Sequence, residues 1–324
     1  MNTTRVMKWA TILATLTILA IPPTLTSAKP PRTWLNSWRQ QRPQPLEVEE
    51  VPEMALNAWI CPGTEGSWGD VNNWLLGIIP IDTHDVQFGS WSQADVVDGF
   101  NQTGVDLASL WIQPAYGGDI GSAANALLID AVKVRHEGSG LLHFKNDGSS
   151  PTIVIDSPNR DQAAIIDGTG VTSLMAKRGV INVAASAGDV TLIVSYTYSP
   201  GEDAIVTLPA SANKLAALYM TGGIVTSFRD IQASLTSTEP MVAGGQLFTE
   251  GTAASASIVV AGGYWVNNST GTFAATTILG GTVDATQKLG TRVMTMVQIH
   301  GGDFLYSDLV THAIYDYRND GPRP

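Results

Sequence analysis

The residues with the most chemical potential in this sequence are three aspartates, three histidines and four tryptophans. Asp156, Asp161 and Asp167 lie within Val154-Ile155-Asp156-Ser157-Pro158-Asn159-Arg160-Asp161-Gln162-Ala163-Ala164-Ile165-Ile166-Asp167. On neighbouring coils of a β-helix, paired carboxylates can serve as general acid and base toward a glycosidic bond, or hold calcium. The spacing here is unspecific, and Asp156 and Asp167 each follow an apolar run, where aspartate caps a strand by turning the chain. They are therefore expected to be turn residues. His136 and His143 flank Gly138-Ser139-Gly140, but two imidazoles without a third ligand do not define a metal site, and surface or strand-edge positions are expected for them. Trp59, Trp68, Trp74 and Trp91 offer indole faces on which a pyranose ring could stack. The competing expectation is that the tryptophans cover the end of a repetitive core.

Other catalytic signatures are missing from the sequence. It holds no Gly-x-Ser-x-Gly elbow, no P-loop, no Gly-x-Gly-x-x-Gly after a strand and no tandem calcium-binding glycine repeats. His300-Gly301-Gly302-Asp303 resembles the histidine-bearing glycine turn of polygalacturonase-type enzymes, yet the paired-aspartate and Arg-x-Lys segments of that family are not present. His300 is expected to be one more corner residue. No catalytic, metal-binding or cofactor-binding residues are assigned, and no cofactor is expected. Cys61 is the only cysteine, so neither an internal disulfide nor a cysteine-based zinc site can form.

The elements that must position these residues are short strands. Of 324 residues 44% are hydrophobic, 15% are charged and 32 are glycine, a balance that favours many turns over long solvated helices. Gly-Gly pairs begin at 222, 244, 262, 280 and 301, in steps of 22, 18, 18 and 21. Each sits in an apolar-x-Gly-Gly-x-apolar frame: Met220 with Val225, Val242 with Leu247, Val260 with Trp265, Ile278 with Val283, Ile299 with Phe304. A period of this length belongs to a solenoid coil. Two short strands meeting at a glycine corner, with a positive φ expected at Gly263, would point the flanking residues inward. Upstream, Gly118, Gly140, Gly179, Gly201 and Gly223 continue the period. Strands are expected over 127–134, 141–144, 152–155, 180–183, 190–196 and 204–208. The fold class is all-β, a single-stranded parallel β-helix with coils of about 18–22 residues, right-handed by the chirality of parallel crossovers.

Around this core the chain divides into five parts. Residues 1–28 carry Arg5, Lys8, an apolar run from Trp9 to Ile21 and Thr26-Ser27-Ala28, the pattern of a secretory signal peptide or of an N-terminal anchor. That run falls short of the ~20 residues a membrane helix needs, so no membrane span is expected in the mature chain. Residues 29–53 form a proline-rich linker, and Met54 is an alternative translation start. Residues 54–100 make a Trp-rich N-terminal cap, 101–306 the β-solenoid and 307–324 a C-terminal cap and tail with Tyr315 and Tyr317.

The segment Trp59, Gly66-Ser67-Trp68, Asn73-Trp74, Gly77, Pro80, Asp85-Val86-Gln87-Phe88 resembles a pattern found in uncharacterised bacterial-surface and phage-associated β-solenoid proteins. The likeness extends more loosely through Gln102 to Leu110 and through Gly118-Asp119-Ile120-Gly121. It implies architecture and display outside a cell or on a particle, not an activity. From Met54 onward 12 basic residues face 25 acidic ones, which excludes nucleic acid as an expected partner. The expected function is a structural or adhesive solenoid, secreted or displayed on a cell or virion surface. A homo-oligomer is expected, a trimer by resemblance to phage fibres, with a glycan or particle surface as the other partner. The alternative is an extracellular polysaccharide-degrading or glycan-binding β-helix.

Overall fold

A computed structural model describes residues 55–146, 148–170, 172–195, 202–232, 240–288 and 291–306, with the backbone alone of His312–Asn319. The signal or anchor (1–28), the linker (29–53), Tyr196, Gly201 and the tail after Asn319 lie outside the described residues. The solenoid occupies the unit Glu53–Pro324. It is all-β, with parallel strands stacked in about 10 turns. The short 3-10 turn Val71–Asn73 is the one helical element among the described residues, and no described helix is long and apolar enough to cross a membrane.

Alternation of apolar and polar residues makes each strand two-sided, and parallel pairing aligns the inward side chains of successive coils into columns. On the first face Phe88, Ile112, His136, Ile155, Ala176, Val194, Met220, Val242, Val260, Ile278 and Ile299 pair rung upon rung. On the second face Leu142, Ala164, Ile181, Val206, Val225, Leu247, Trp265, Val283 and Phe304 do the same. Both members of every Gly-Gly frame thus belong to a column. All ten are buried except Phe304, which is partly buried against the core. Each such side chain contributes about 1.5–3 kcal/mol, but only once the neighbouring coil is in place to receive it.

Three sequence-based expectations need correction. The first concerns the period. Rung-to-rung steps along the first face are 24, 24, 19, 21, 18, 26, 22, 18, 18 and 21 residues, so coils reach 26 residues, and two of the three shortest lie among the Gly-Gly pairs. The second concerns Gly263, whose φ is not positive, although Gly281 has φ 74°. The need for glycine there is spatial. A Cβ on Gly281 would lie 2.2 Å from the carbonyl oxygen of Gly263, and one on Gly263 would lie 2.5 Å from Cγ1 of Val242. Glycine lets one coil's backbone settle on the next.

The third concerns the corner. In Leu215–Ser227 and Met241–Thr249 the strand runs through the glycine pair with an irregular register; separate strands flank the pair in the three later coils. Strand positions otherwise follow the expectations closely, and Ala204–Leu208 coincides with one of them.

The Trp-rich segment is built into the solenoid. Leu56–Ala58 pairs in parallel with Asp85–Phe88, which pairs with Asn101–Ile112. At the other end His312–Asn319 adds a parallel rung to Arg292–Ile299.

Candidate functional site

Trp59, Trp68 and Trp74 are buried and packed edge to face, with ring centroids 5.1 Å apart for Trp59 and Trp74 and 4.7 Å for Trp68 and Trp74. Phe88 lies against all three, and Tyr116 against Phe88. Nε1 of Trp59 and the Tyr116 hydroxyl both donate to the Ala94 carbonyl, at 3.1 and 2.6 Å. Burial raises the Tyr116 pKa, so the phenol stays a neutral donor. This cluster is core, and a stacking platform through these three rings is not formed. Trp91 alone of the four is exposed, at 54%.

The three aspartates do not converge. Asp156 ends a first-face strand and forms an ion pair with Arg178 at 3.1 Å, and Arg178 also reaches Glu202 at 3.4 Å. Asp161 is exposed in a turn where its backbone N–H donates to Oδ1 of Asn159. Asp167 belongs to a second-face strand. Its Oδ1 accepts from the Gly168 N–H and the Ser186 hydroxyl, each at 2.6 Å, and Lys145 stands 3.9 Å away. These are turn and strand-end roles, as the sequence suggested.

A different carboxylate pattern recurs along the solenoid. Oδ1 of Asp82, Asp95, Asp119, Asp189 and Asp230 accepts the backbone N–H of Asp106, Asp119, Leu141, Lys214 and Ala254, each about one coil further along, at 2.7–3.0 Å. Where the chain leaves its strand, the side chain replaces the missing ladder bond. Asp82, Asp106 and Asp130 also follow one another on adjacent coils. Burial raises the Asp106 pKa, assisted by Asp130 and Asp82. Among the described residues no three His, Cys, Asp or Glu side chains are arranged to hold a metal ion.

His136 departs from expectation. It is no surface or strand-edge residue but part of the first-face core column, buried, with Nε2 3.1 Å from the Gly140 carbonyl and no partner for Nδ1. Burial lowers its pKa to about 4, so it sits neutral in the core. The alternation Val134, His136 carries the signal for an inward position. His143 has Nδ1 2.6 Å from the Ser122 carbonyl and, with Asn101, Asn125, Leu128, Lys145 and Asp167, lines an open groove of about 330 Å³. His300 is exposed at its corner.

Two buried arginines carried no sequence signal. Arg229 donates to the carbonyls of Pro209, Ala187, Gly188 and Ala184 at 2.6–3.3 Å. Arg292 donates to those of Asn267, Lys288 and Thr291. Burial lowers both pKa values, while the carbonyls supply the acceptors that water would otherwise provide.

Outward positions complete the picture. On the first face, Val154, Met175, Ile193, Tyr219, Met241, Val259, Thr277 and Gln298 form one outer column. Thr152, Ser173, Thr191 and Ala217 lie beside it. None of these is charged; Asp156 and Arg178 stand at the strand end. The second face is more polar, with Asn182, Thr207, Thr226 and Phe248 in one outer column that continues into the buried Val266 and Asp284.

No family model matches the chain, and neither a curated protein nor a solved structure matches it.

Proposed function

We propose that this protein is a non-enzymatic structural or adhesive β-solenoid, displayed outside a cell or on the surface of a virus particle and working as a homo-oligomer. One observation carries the reading: the carboxylates are spent one by one on coil-to-coil hydrogen bonds and ion pairs instead of gathering around a space where a substrate could react. Catalysis by acid and base needs two such groups across one bond. A stack of parallel coils with continuous outer columns suits a passive role, because it repeats a contact surface at fixed intervals. Trimeric assembly remains the first stoichiometry to test.

Immunogold electron microscopy of intact cells or particles, with antibody raised against residues 55–306, tests the display. Label confined to the outer surface is the expected result, and label found only after permeabilisation overturns it.

The groove beside His143 favours a second reading, glycan binding, since amides, an ammonium, a carboxylate and the Leu128 side chain together suit a polyhydroxylated ligand. If the protein instead degrades a polysaccharide, chain cleavage will be seen with the wild type and lost when Asp156, Asp161 and Asp167 are all changed to Asn.

A further inference from the structure

We infer that the outer side of the first face, from Val154 to Gln298, is the surface through which two copies of this chain associate. The inference rests on the proposal of an oligomeric solenoid and names its contact.

The outer column there reads Val154, Met175, Ile193, Tyr219, Met241 and Val259 over six successive coils. A sheet that faces water on one side alternates apolar inward with polar outward residues; apolar residues on both sides mark a sheet covered on both. Tyr219, in the middle of the row, is 46% exposed, and Val154, Met175, Ile193 and Met241 are half-buried by their neighbours alone. Val259 is nearly buried already.

Charge selects the occupant. The chain carries a net charge of −11, so two copies repel wherever carboxylates meet. From Thr191 to Gln298 no described residue at an outward strand position of this face is charged, and upstream Asp156 and Arg178 pair with each other beside Lys177; the second-face column Gln246, Tyr264, Thr282 instead ends on the exposed Asp303. A copy of the same chain can therefore lie against the first face from Ile193 onward without opposing carboxylates, apolar row on apolar row.

The area is adequate. Eight coils at about 4.8 Å and about five residues of strand at about 3.3 Å give a face on the order of 600 Å². A standard interface uses about 800 Å² per partner. The face repeats at the coil spacing, so each row can meet an equivalent row.

Sedimentation velocity of the full chain at micromolar concentration tests the assignment. The wild type is expected to associate, and added salt is expected to leave association intact or strengthen it by screening the acidic flanks. Ile193→Glu combined with Tyr219→Glu should weaken association by roughly tenfold or more. Tyr219→Ser, a milder change at an exposed position, should weaken it less, with unchanged thermal stability as the control for folding. Ile205→Glu on the second face should leave it unaffected. A monomeric wild type overturns the inference, as does association that survives the double substitution or is lost equally in Ile205→Glu. None of these outcomes bears on surface display, which the immunogold labelling tests separately.

Discussion

Between Leu215 and Leu305 successive coils meet through paired glycines, whereas between Leu56 and Asn146 they meet through aromatic rings and the side chains of Asp, Gln and Tyr. In the first region backbone lies on backbone at the corner, and two consecutive steps are 18 residues. In the second, two consecutive steps are 24 residues, and their turns carry Gln93, Asp95, Tyr116 and Asp119, whose side chains bond to backbone groups of adjoining coils. Glycine is needed wherever backbone settles on backbone, at the paired glycines and also at Gly140 in the longer coils, where a Cβ would lie 2.0 Å from the Gly118 carbonyl oxygen. Long coils have room for side chains that accept the stray N–H groups. The same stacking is reached by leaving side chains out in one region and by committing them in the other.

The largest test of this contrast is made at the corners. Gly281→Ala combines a left-handed φ with a Cβ pressed on a backbone oxygen and is expected to cost about 3–5 kcal/mol. Gly263→Ala lacks the left-handed φ and meets a methyl of Val242 at 2.5 Å with the nearest backbone oxygen, that of Gly245, at 3.0 Å, and should cost about 1–2 kcal/mol. Urea denaturation of the pair checks the order; equal losses would mean that backbone contact is not what requires glycine.

Acid separates the regions next. His136 has a folded pKa near 4, below its ordinary value of 6.5, so the unfolded chain binds its proton first. Its stabilising contribution is complete above about pH 6.5 and is lost as pH falls toward 4, on the order of 3 kcal/mol. Asp284, in the glycine-paired region, is pushed up by burial but held down at about 2 by hydrogen bonds from Tyr264, Gln287 and Thr286. Its contribution is lost only as pH falls from about 3.8 toward 2. Thermal melts across pH should therefore show a steep loss between pH 6.5 and 4 that His136→Met flattens, while Asp284→Asn leaves that window unchanged.

The smallest effect belongs to Thr276. Its side chain is buried in a column between Ile258 and Val297, and its hydroxyl has no partner. Thr276→Val removes an unsatisfied group at nearly constant volume and is expected to stabilise the protein by about 1 kcal/mol, read from the denaturation midpoint.

Legibility in the sequence follows the same divide. The Gly-Gly frames announce both core columns because backbone contact demands one residue type at fixed spacing, and Met220 to Phe304 fall where the frames put them. In the early coils backbone N–H groups donate to Asp82, Asp95 and Gln93, residue types equally at home in any turn, so the 24-residue steps leave no pattern. Arg229 and Arg292 carry no sequence signal because burial of a guanidinium depends on carbonyls that only the folded turns bring together. His136 is hidden for a related reason: its inward position follows from alternation, but a neutral histidine in an apolar column contradicts what its ordinary pKa suggests. Trp59, Trp68 and Trp74 lie in the core and Trp91 on the surface, a difference that their spacing does not show.

Arg229 gives the solenoid a mechanical property. Its guanidinium holds the turn at Ala184 to Gly188 and the turn at Pro209 to its own turn, so three consecutive coils share one fastening. Under tension applied to the ends of the chain, coils bound only by ladder bonds peel away one at a time, each yielding a short length of slack. The coils gripped by Arg229 cannot separate singly, since the first to move must break several charged hydrogen bonds in a water-poor turn. They resist as a block and give way together, which adds strength under load to the middle of the solenoid.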